Sequence, residues 1–397
     1  MTQPETSYRW VMLSLGWLSY FSFGLIYTAT APLVTPIMSE LNLTYAQMGA
    51  ITGAWQLVYI FSAQPLGFLV DWLGVYRSIL IGTVVMAVSS ILKSFAISFE
   101  DLFASVAIFG VGGPLISIGT PKLVSTWFRG QERGLSSGIN ASGSSVGSMA
   151  ALGLTSSVVL PLAGNWRNVF LIYGVFGFIV AFIWLMFGGR KPQASNRGIE
   201  LADSRPVESH VQKVFRNRSL WLIVIIGIIF FMITHGLQNW MPKIIELKGF
   251  SMVVSGYATS LLTLAGILGS LLLPRLMYRS KIRKRLIVYL LSVSGFSIIT
   301  IGLGQGLLLL LGIFSAGFFT RAIMPILTVK LMELPEVGVE HIGTVGGLFF
   351  SIGEIGGFLG PFLIGYLRDV TGSFVAGIAS LAIATWIAII AASLLKL

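Results

Sequence analysis

Long apolar runs recur along this chain, each roughly 17 to 25 residues, the length a helix needs to cross about 30 Å of hydrocarbon. They lie at 9 to 34, 45 to 70, 78 to 97, 102 to 127, 135 to 160 and 167 to 189, then at 219 to 241, 254 to 278, 284 to 303, 307 to 330, 341 to 366 and 373 to 395. In lipid every backbone N–H and C=O must be satisfied inside the structure, so only helices and closed barrels span a bilayer. Barrel strands alternate apolar and polar residues over about ten positions, and these runs do not. The spacing predicts an all-α membrane protein with twelve transmembrane helices. Composition agrees: 55% of the 397 residues are apolar and 10% charged, with mean hydropathy +0.87, where a soluble chain carries roughly 25% charged residues.

The net charge of +11 suggests nucleic acid until it is located. Cytoplasmic loops of membrane proteins collect Lys and Arg. With the N-terminus inside, 18 of the 26 basic residues fall in cytoplasmic segments, five (Lys93, Arg167, Lys243, Lys248, Arg368) outside, and three (Lys122, Arg321, Lys330) within helices. Shifting the register by one span would put the run from Arg275 to Arg285 outside. Both termini are therefore expected in the cytoplasm, in a cell (plasma or inner) membrane, with the bilayer and not nucleic acid as the large partner. The first run is too long for a signal-peptide core and no small-residue cleavage pattern follows it, so it is read as the first span. There is no cysteine, and His210, His235 and His341 are scattered, so neither a metal site nor a cofactor is expected.

Between Gly188 and Arg218 the hydrophobic pattern stops for about thirty residues. This divides the chain into residues 1–189, a cytoplasmic linker 190–218, and residues 219–397, six spans on either side. The halves resemble each other at an offset near 208 or 209: Lys122 maps to Lys330, Glu132 to Glu340, Gly138 to Gly347 and Gly147 to Gly356. The fifth and eleventh spans are dense in glycine, and glycines four apart offer a groove to a neighbouring helix, for static packing or for a sliding contact.

After the second span stands Gly67-Phe-Leu-Val-Asp71-Trp-Leu-Gly74-Val-Tyr-Arg77, which resembles the motif between the second and third helices of the major facilitator superfamily. Trp72 and Tyr76 depart from it, standing where bases are usual. The resemblance extends over the whole chain and implies two pseudo-symmetric six-helix bundles working by alternating access. It also implies that Asp71 latches the cytoplasmic side in the outward-open state by meeting the N-terminal end of the eleventh helix near Ile342 to Thr344, with Arg77 close by. An acid at a helix N-terminus is stabilised by free N–H groups and the dipole. A solvated loop carboxylate is the alternative. A second stretch, Trp127-Phe128 then Glu132-Arg133-Gly134 opening the glycine-rich fifth span, is similar to porters of small anions: cyanate, nitrate/nitrite, oxalate/formate and organic anions. The arginines that nitrate porters carry in the second and eighth helices are missing, and Glu354 stands in the eleventh span where oxalate exchangers have lysine.

Ionisable groups deep in a bilayer are expensive and mark transport pathways or paired partners. Arg321 lies about 14 to 18 Å from the cytoplasmic end of the tenth span and Glu354 about 18 Å into the eleventh, at 1.5 Å per residue. Equal depth allows an ion pair bordering the central cavity. Either it is a fixed structural pair, or a substrate anion competes for Arg321 while Glu354 takes a proton. Lys122 and Lys330 sit low, as gate or rim residues or with side chains snorkelling to the interface. Lys93 reads as an interfacial anchor. Trp17, Tyr20, Gly24 and Tyr27 on the first span, and Trp55 and Tyr59 on the second, share one stripe each, and His235 and Asn239 on the seventh are four apart beside Gln238. From these, Arg321, Tyr20, Tyr27, Tyr59, His235 and Asn239 are the expected substrate contacts.

The reading is a secondary active transporter, a monomer, that carries a small carboxylate-bearing anion in symport with protons through Glu354. A carrier of a cationic, zwitterionic or neutral solute stays open, as does a non-transporting sensor of the same fold. No nucleophile, base and acid stand together, so an enzyme is not expected.

Overall fold

A computed structural model describes residues 4–189, 217–274, 283–334 and 342–395. Most of the linker, Arg275, Arg279 and Lys281 of the basic run, His210, Glu340 and His341 lie outside these residues. In chain order the helices are α1 (Pro4–Thr28), α2 (Val34–Leu41), α3 (Tyr45–Ser94), α4 (Phe99–Trp127), α5 (Gly130–Leu154), α6 (Leu160–Ala163), α7 (Trp166–Phe187), α8 (Arg218–Leu247), α9 (Met252–Leu272), α10 (Arg283–Leu303), α11 (Gly306–Arg321), α12 (Ile323–Met332), α13 (Ile342–Thr371) and α14 (Phe374–Leu394). A 3₁₀ turn, Ala31–Leu33, joins α1 to α2, and a wider π-type turn, Thr155–Val159, joins α5 to α6. Eleven stretches of the described residues are long and apolar enough to cross a membrane.

The difference from twelve predicted runs lies at Gly74. Runs 45 to 70 and 78 to 97 are joined as α3, but Gly74 has φ 78° and ψ 162°. That backbone is open to glycine because it has no Cβ. The chain turns back there: Tyr45 lies beside Asp369, the Tyr76 hydroxyl donates to the Leu185 carbonyl, and Lys93 Nζ donates to Ile26 O near the far end of α1. The tenth run also breaks, directly after Arg321. Pro325 has no N–H to offer the carbonyl four residues earlier, which is that of Arg321, and its ring crowds it. Likewise α1 ends at Thr28, four residues before Pro32.

Five of the helices that begin on the face opposite the termini carry their own starts, α11 after Gln305 being without a side-chain cap. The Thr44 hydroxyl accepts from Gln47 N while the Gln47 side chain accepts from Thr44 N, and Ser98, Asn165, Ser251 and Ser373 accept from backbone N–H groups two or three residues on. Such caps satisfy N–H groups that a helix start leaves unpaired.

Glycines set the closest contacts, and the contacts recur. A side chain at Gly110 would overlap the Trp55 carbonyl, and one at Gly317 the Leu262 carbonyl; both members of the second pair lie 207 positions after the first. Gly147 of α5 presses on Phe21 O of α1, and Gly356 of α13 on Ile228 O of α8. These dense spans therefore make backbone contact with the first helix of their own half of the sequence.

Between the halves, α3 and α13 come into backbone contact at one end, while toward the other the Gln64 side chain of α3 still reaches Gly347 of α13. Away from the termini Gly49 lies on the Pro361 carbonyl, Gly53 on Phe358 and Gly365 on the Tyr45 carbonyl. Toward the terminal face the same helices separate, and among the described residues nothing lies within 4 Å of where a side chain at Gly346 would begin. The space left is a cavity of about 680 Å³.

Candidate functional site

The cavity is lined by Tyr20 of α1, Tyr59, Gln64 and Asp71 of α3, Ser117 of α4, Thr328 of α12, and Gly346, Gly347 and Phe350 of α13. Tyr20 and Tyr59, expected as substrate contacts, thus border this cavity. The Tyr59 hydroxyl lies 3.4 Å from Ser117 Oγ. Trp17 and Gly24 do not follow: Trp17 Nε1 donates to Ser142 Oγ, and Gly24 is pressed on the Ser144 backbone, so both face α5.

One helical turn beyond Tyr59 and Phe350 the cavity is closed by rings. Trp55 meets Tyr27 at 5.6 Å, His235 at 5.6 Å and Phe109 at 5.7 Å between centroids, and Phe231 stacks on His235 at 5.9 Å and 12°. The layer joins α1, α3, α4 and α8. Glu354 enters it from α13 and is 5% exposed. Its Oε2 lies 3.5 Å from His235 Nε2 and has no hydrogen-bond partner, nor has His235 Nδ1. Gln56 is fully buried beside it with both amide atoms unpartnered, and a side chain at Gly357 would collide with the Glu354 carboxylate and the Gln56 stem together. Unpaired buried polar atoms at this density are costly.

The predicted Arg321 to Glu354 pair is not present, and neither residue lines the 680 Å³ cavity. Each instead meets a different side chain of α8. Arg321 donates through Nη2 to Gln238 Oε1 at 2.7 Å, while Glu354 faces His235, three residues earlier on the same helix. Residues three apart share a helix face, so acid and base each meet α8 through a side chain of their own rather than through one another. The other end of the Gln238 amide crosses to the first half of the chain. Its Nε2 donates to Tyr27 Oη at 2.6 Å and to Thr28 Oγ1 at 3.2 Å, and Thr28 Oγ1 in turn donates to Ser148 Oγ at 3.0 Å. Gly266 leaves room for the Arg321 stem, since a side chain there would strike its Cγ. Asn239 is spent along its own helix, donating to His235 O at 3.0 Å.

At the terminal face Asp71 pairs with Lys122 at 2.5 Å, and Lys330 with Glu333 at 2.7 Å. Arg77 is exposed and borders a separate cavity of about 560 Å³ with Tyr76, Trp127 and Trp184. The side chains of residues 342 to 344 lie outside the described ones; the partner of Asp71 in this structure is Lys122. Lys93 is no interfacial anchor: it is 2% exposed, donates to Ile26 O at 3.1 Å and sits 4.8 Å above the Phe170 ring centre. There it satisfies a carbonyl that the end of α1 would leave unpaired. Among the described residues no group of three or more His, Cys, Asp or Glu stands together as a metal site. Gln56 and Thr28 escaped the sequence reading because uncharged polar residues in a span give no depth-and-charge signal; only their rarity in apolar runs marks them.

A sequence profile described as Major Facilitator Superfamily matches residues 16–361. The chain is 24% identical to the 2-nitroimidazole transporter of Escherichia coli K12, across 88% of this chain and 86% of that one. It is 23% identical to a probable sulfoacetate transporter of Cupriavidus necator, across 87% of this chain and 84% of the other. A bacterial homologue of the human lysosomal transporter Spinster, solved inward-facing and unoccupied, matches the structure with a TM-score of 0.77 at 17% identity, over 99% of this chain and 98% of that one.

Proposed function

The chain belongs to the major facilitator superfamily and is a multi-pass membrane transporter, not an enzyme, and we propose that it carries a small carboxylate-bearing anion through the membrane by alternating access, coupled to protons at Glu354. The observation that carries this reading is the state of Arg321. It is a deep guanidinium whose bonded partner among the described residues is the neutral Gln238 amide, with none of their carboxylates paired to it. Arginine never loses its charge in a protein and presents a planar fork of donors suited to carboxylate, so an anion arriving from the cavity takes the place of Gln238 Oε1. Sulfoacetate, for which the Cupriavidus relative is named as a probable transporter, is a small acid anion of this kind.

Two six-helix halves, residues 1–189 and 219–397 about the linker 190–218, supply the moving parts, with twelve spans once α3 is counted as two about Gly74. The recurring glycine contacts 207 positions apart support the repeat. The halves meet away from the termini and part toward them, which is the inward-open shape if both termini are cytoplasmic in a plasma or inner membrane. Tyr20 and Tyr59 receive the substrate from the cavity, and Tyr27 and His235 close over it with Arg321. Asp71, Arg77, Lys122 and Lys330 belong to the cytoplasmic gate. Glu354, unbalanced except by His235, is the proton carrier: a carboxylate in an aromatic layer needs a proton or a cation to offset its desolvation.

A second reading rests on the same acid. Glu354 and the ring layer suit a flat neutral or cationic solute, in line with the nitroimidazole named for the Escherichia coli relative. Proteoliposome uptake of labelled monocarboxylates, amines and neutral heteroaromatics, with and without an imposed pH gradient, separates the two. Saturable, gradient-driven uptake of a monocarboxylate that is lost in Arg321→Gln supports the anion reading; uptake confined to amines or neutral solutes and unaffected by Arg321→Gln overturns it.

A further inference from the structure

We infer that Asp369 is the outer counterpart of the Asp71 latch: a carboxylate at the far end of α13 that holds the second span's N-terminus and keeps the outer face shut. The geometry is specific. Asp369 Oδ1 accepts from Tyr45 N at 3.0 Å and Oδ2 from Ala46 N at 2.7 Å. Thr44 covers the next N–H, that of Gln47, with its own hydroxyl, so the start of α3 is completed in trans by a residue more than 320 positions away. Charged acceptors on backbone N–H at a helix start are the strong form of this contact, helped by the helix dipole. Arg368 adds to the grip, with its guanidinium carbon 5.1 Å above the Tyr45 ring centre and 5.7 Å from that of Phe374.

The sequence motif assigns Asp71, at the end of the second span, to the N-terminus of the eleventh. The structure assigns Asp369, at the end of the eleventh, to the N-terminus of the second. These are opposite ends of one antiparallel helix pair. Gly49, Gly53 and Gly365 bring the pair into backbone contact at the Asp369 end, while at the Asp71 end the carboxylate is turned to Lys122 and the cavity stands open. One latch is closed where the other is released. When the outer face opens, α3 must leave α13 there, and both Asp369 bonds break. Thr35 makes a second, separate tie across the same face, bonded to Glu246 and, at 2.9 Å, to Lys243 Nζ, so Asp369 shares the closure.

This rests on the alternating-access reading and not on any substrate, and its test needs none. The chain has no cysteine, so spin labels can be placed in pairs. Labels at Glu100→Cys with Leu307→Cys report the outer face, and at Leu135→Cys with Met332→Cys the terminal face, by pulsed electron resonance in lipid nanodiscs. In the parent the outer pair is expected to show one short distance. Asp369→Asn and Asp369→Ala should raise the ratio of long to short outer distances at least about five-fold, the range expected for losing two charge-assisted bonds at an exposed site, with the terminal pair shortening in step. Asp71→Asn should leave the outer pair short. If Asp369→Ala lowers the melting temperature yet leaves both distance distributions as in the parent, Asp369 is a cap and not a latch. Asp369→Asn keeps the fold if the Ala variant fails, and an unchanged distribution there overturns the proposal equally. Failure here leaves the anion reading standing, since uptake measures that independently.

Discussion

His235 Nε2 lies 3.5 Å from Glu354 Oε2 inside the ring layer, the two residues being 7% and 5% exposed. A lone carboxylate in such surroundings costs several kcal/mol, and the remedies at hand are a proton on Glu354 or a proton on His235. In the proposed coupling, protons cross the membrane centre through this pair. Glu354→Gln keeps the shape and removes the charge. Accumulation driven by a pH gradient should fall at least about ten-fold, to the level of passive equilibration, while exchange of internal for external substrate persists. Full gradient-driven accumulation by the Gln variant, measured in proteoliposomes, would remove Glu354 from the coupling.

Gly356 and Gly346 lie on the same helix in opposite circumstances. A methyl at Gly356 overlaps the Ile228 carbonyl, whereas one at Gly346 meets nothing among the described residues within 4 Å. Overpacking against backbone costs about 1 to 3 kcal/mol, while Gly to Ala at a helical site with room gains about 0.4 to 1 kcal/mol. Gly356→Ala should lower the thermal midpoint in detergent by several degrees, and Gly346→Ala should hold or raise it. Equal midpoints for the two variants would show that the α8 and α13 contact is looser than it stands.

How far the chain could be read in advance follows from what each signal measures. Run length finds lipid-crossing segments, so the helices were legible, including the separation of 45 to 70 from 78 to 97 that the structure makes as a turn at Gly74, but it is blind to a break inside a run such as the one after Arg321. Depth and charge single out Arg321 and Glu354, because few ionisable groups lie so deep. Neither quantity carries rotation about the helix axis, and rotation decides that Arg321 meets Gln238 and Glu354 meets His235. Lys93 shows the same limit: its place near a span end suits an interface, yet its side chain turns inward to a carbonyl released by the end of α1. Asp369 gives no signal in sequence at all, since its role exists only where the two halves meet.

Asp71 and Lys122 form a 2.5 Å pair with side chains 72% and 37% exposed. Exposed pairs are worth about 0 to 1 kcal/mol, so Asp71→Asn should leave the melting temperature within about two degrees of the parent. Transport should nonetheless slow several-fold, because the carboxylate is proposed to work in the other state, at the start of α13. A large stability loss with unchanged turnover in the folded fraction would make the residue a structural one.

Arg321 is the residue on which the substrate assignment turns. It ends α11 because Pro325 cannot bond its carbonyl, its stem is seated by Gly266, and its guanidinium reaches the Gln238 amide that also holds Tyr27 and Thr28. An anion that takes Arg321 from Gln238 frees an amide whose other end joins the two halves of the chain, so binding and rearrangement share one side chain. Three variants resolve the roles. Arg321→Gln removes the charge and should abolish anion uptake, a loss of at least about a hundred-fold in kcat/KM for a buried charge-assisted contact. Arg321→Lys keeps charge but not the planar fork, and should retain a measurable fraction with a raised KM. Gln238→Leu leaves Arg321 free of its competitor, so anion affinity should rise in a direct binding titration while turnover falls through the lost tie to Tyr27 and Thr28. Equal anion affinity in the parent and the Leu variant would mean that Gln238 does not compete for the guanidinium, and uptake by Arg321→Gln equal to that by Arg321→Lys would mean that charge at this position does not select the substrate.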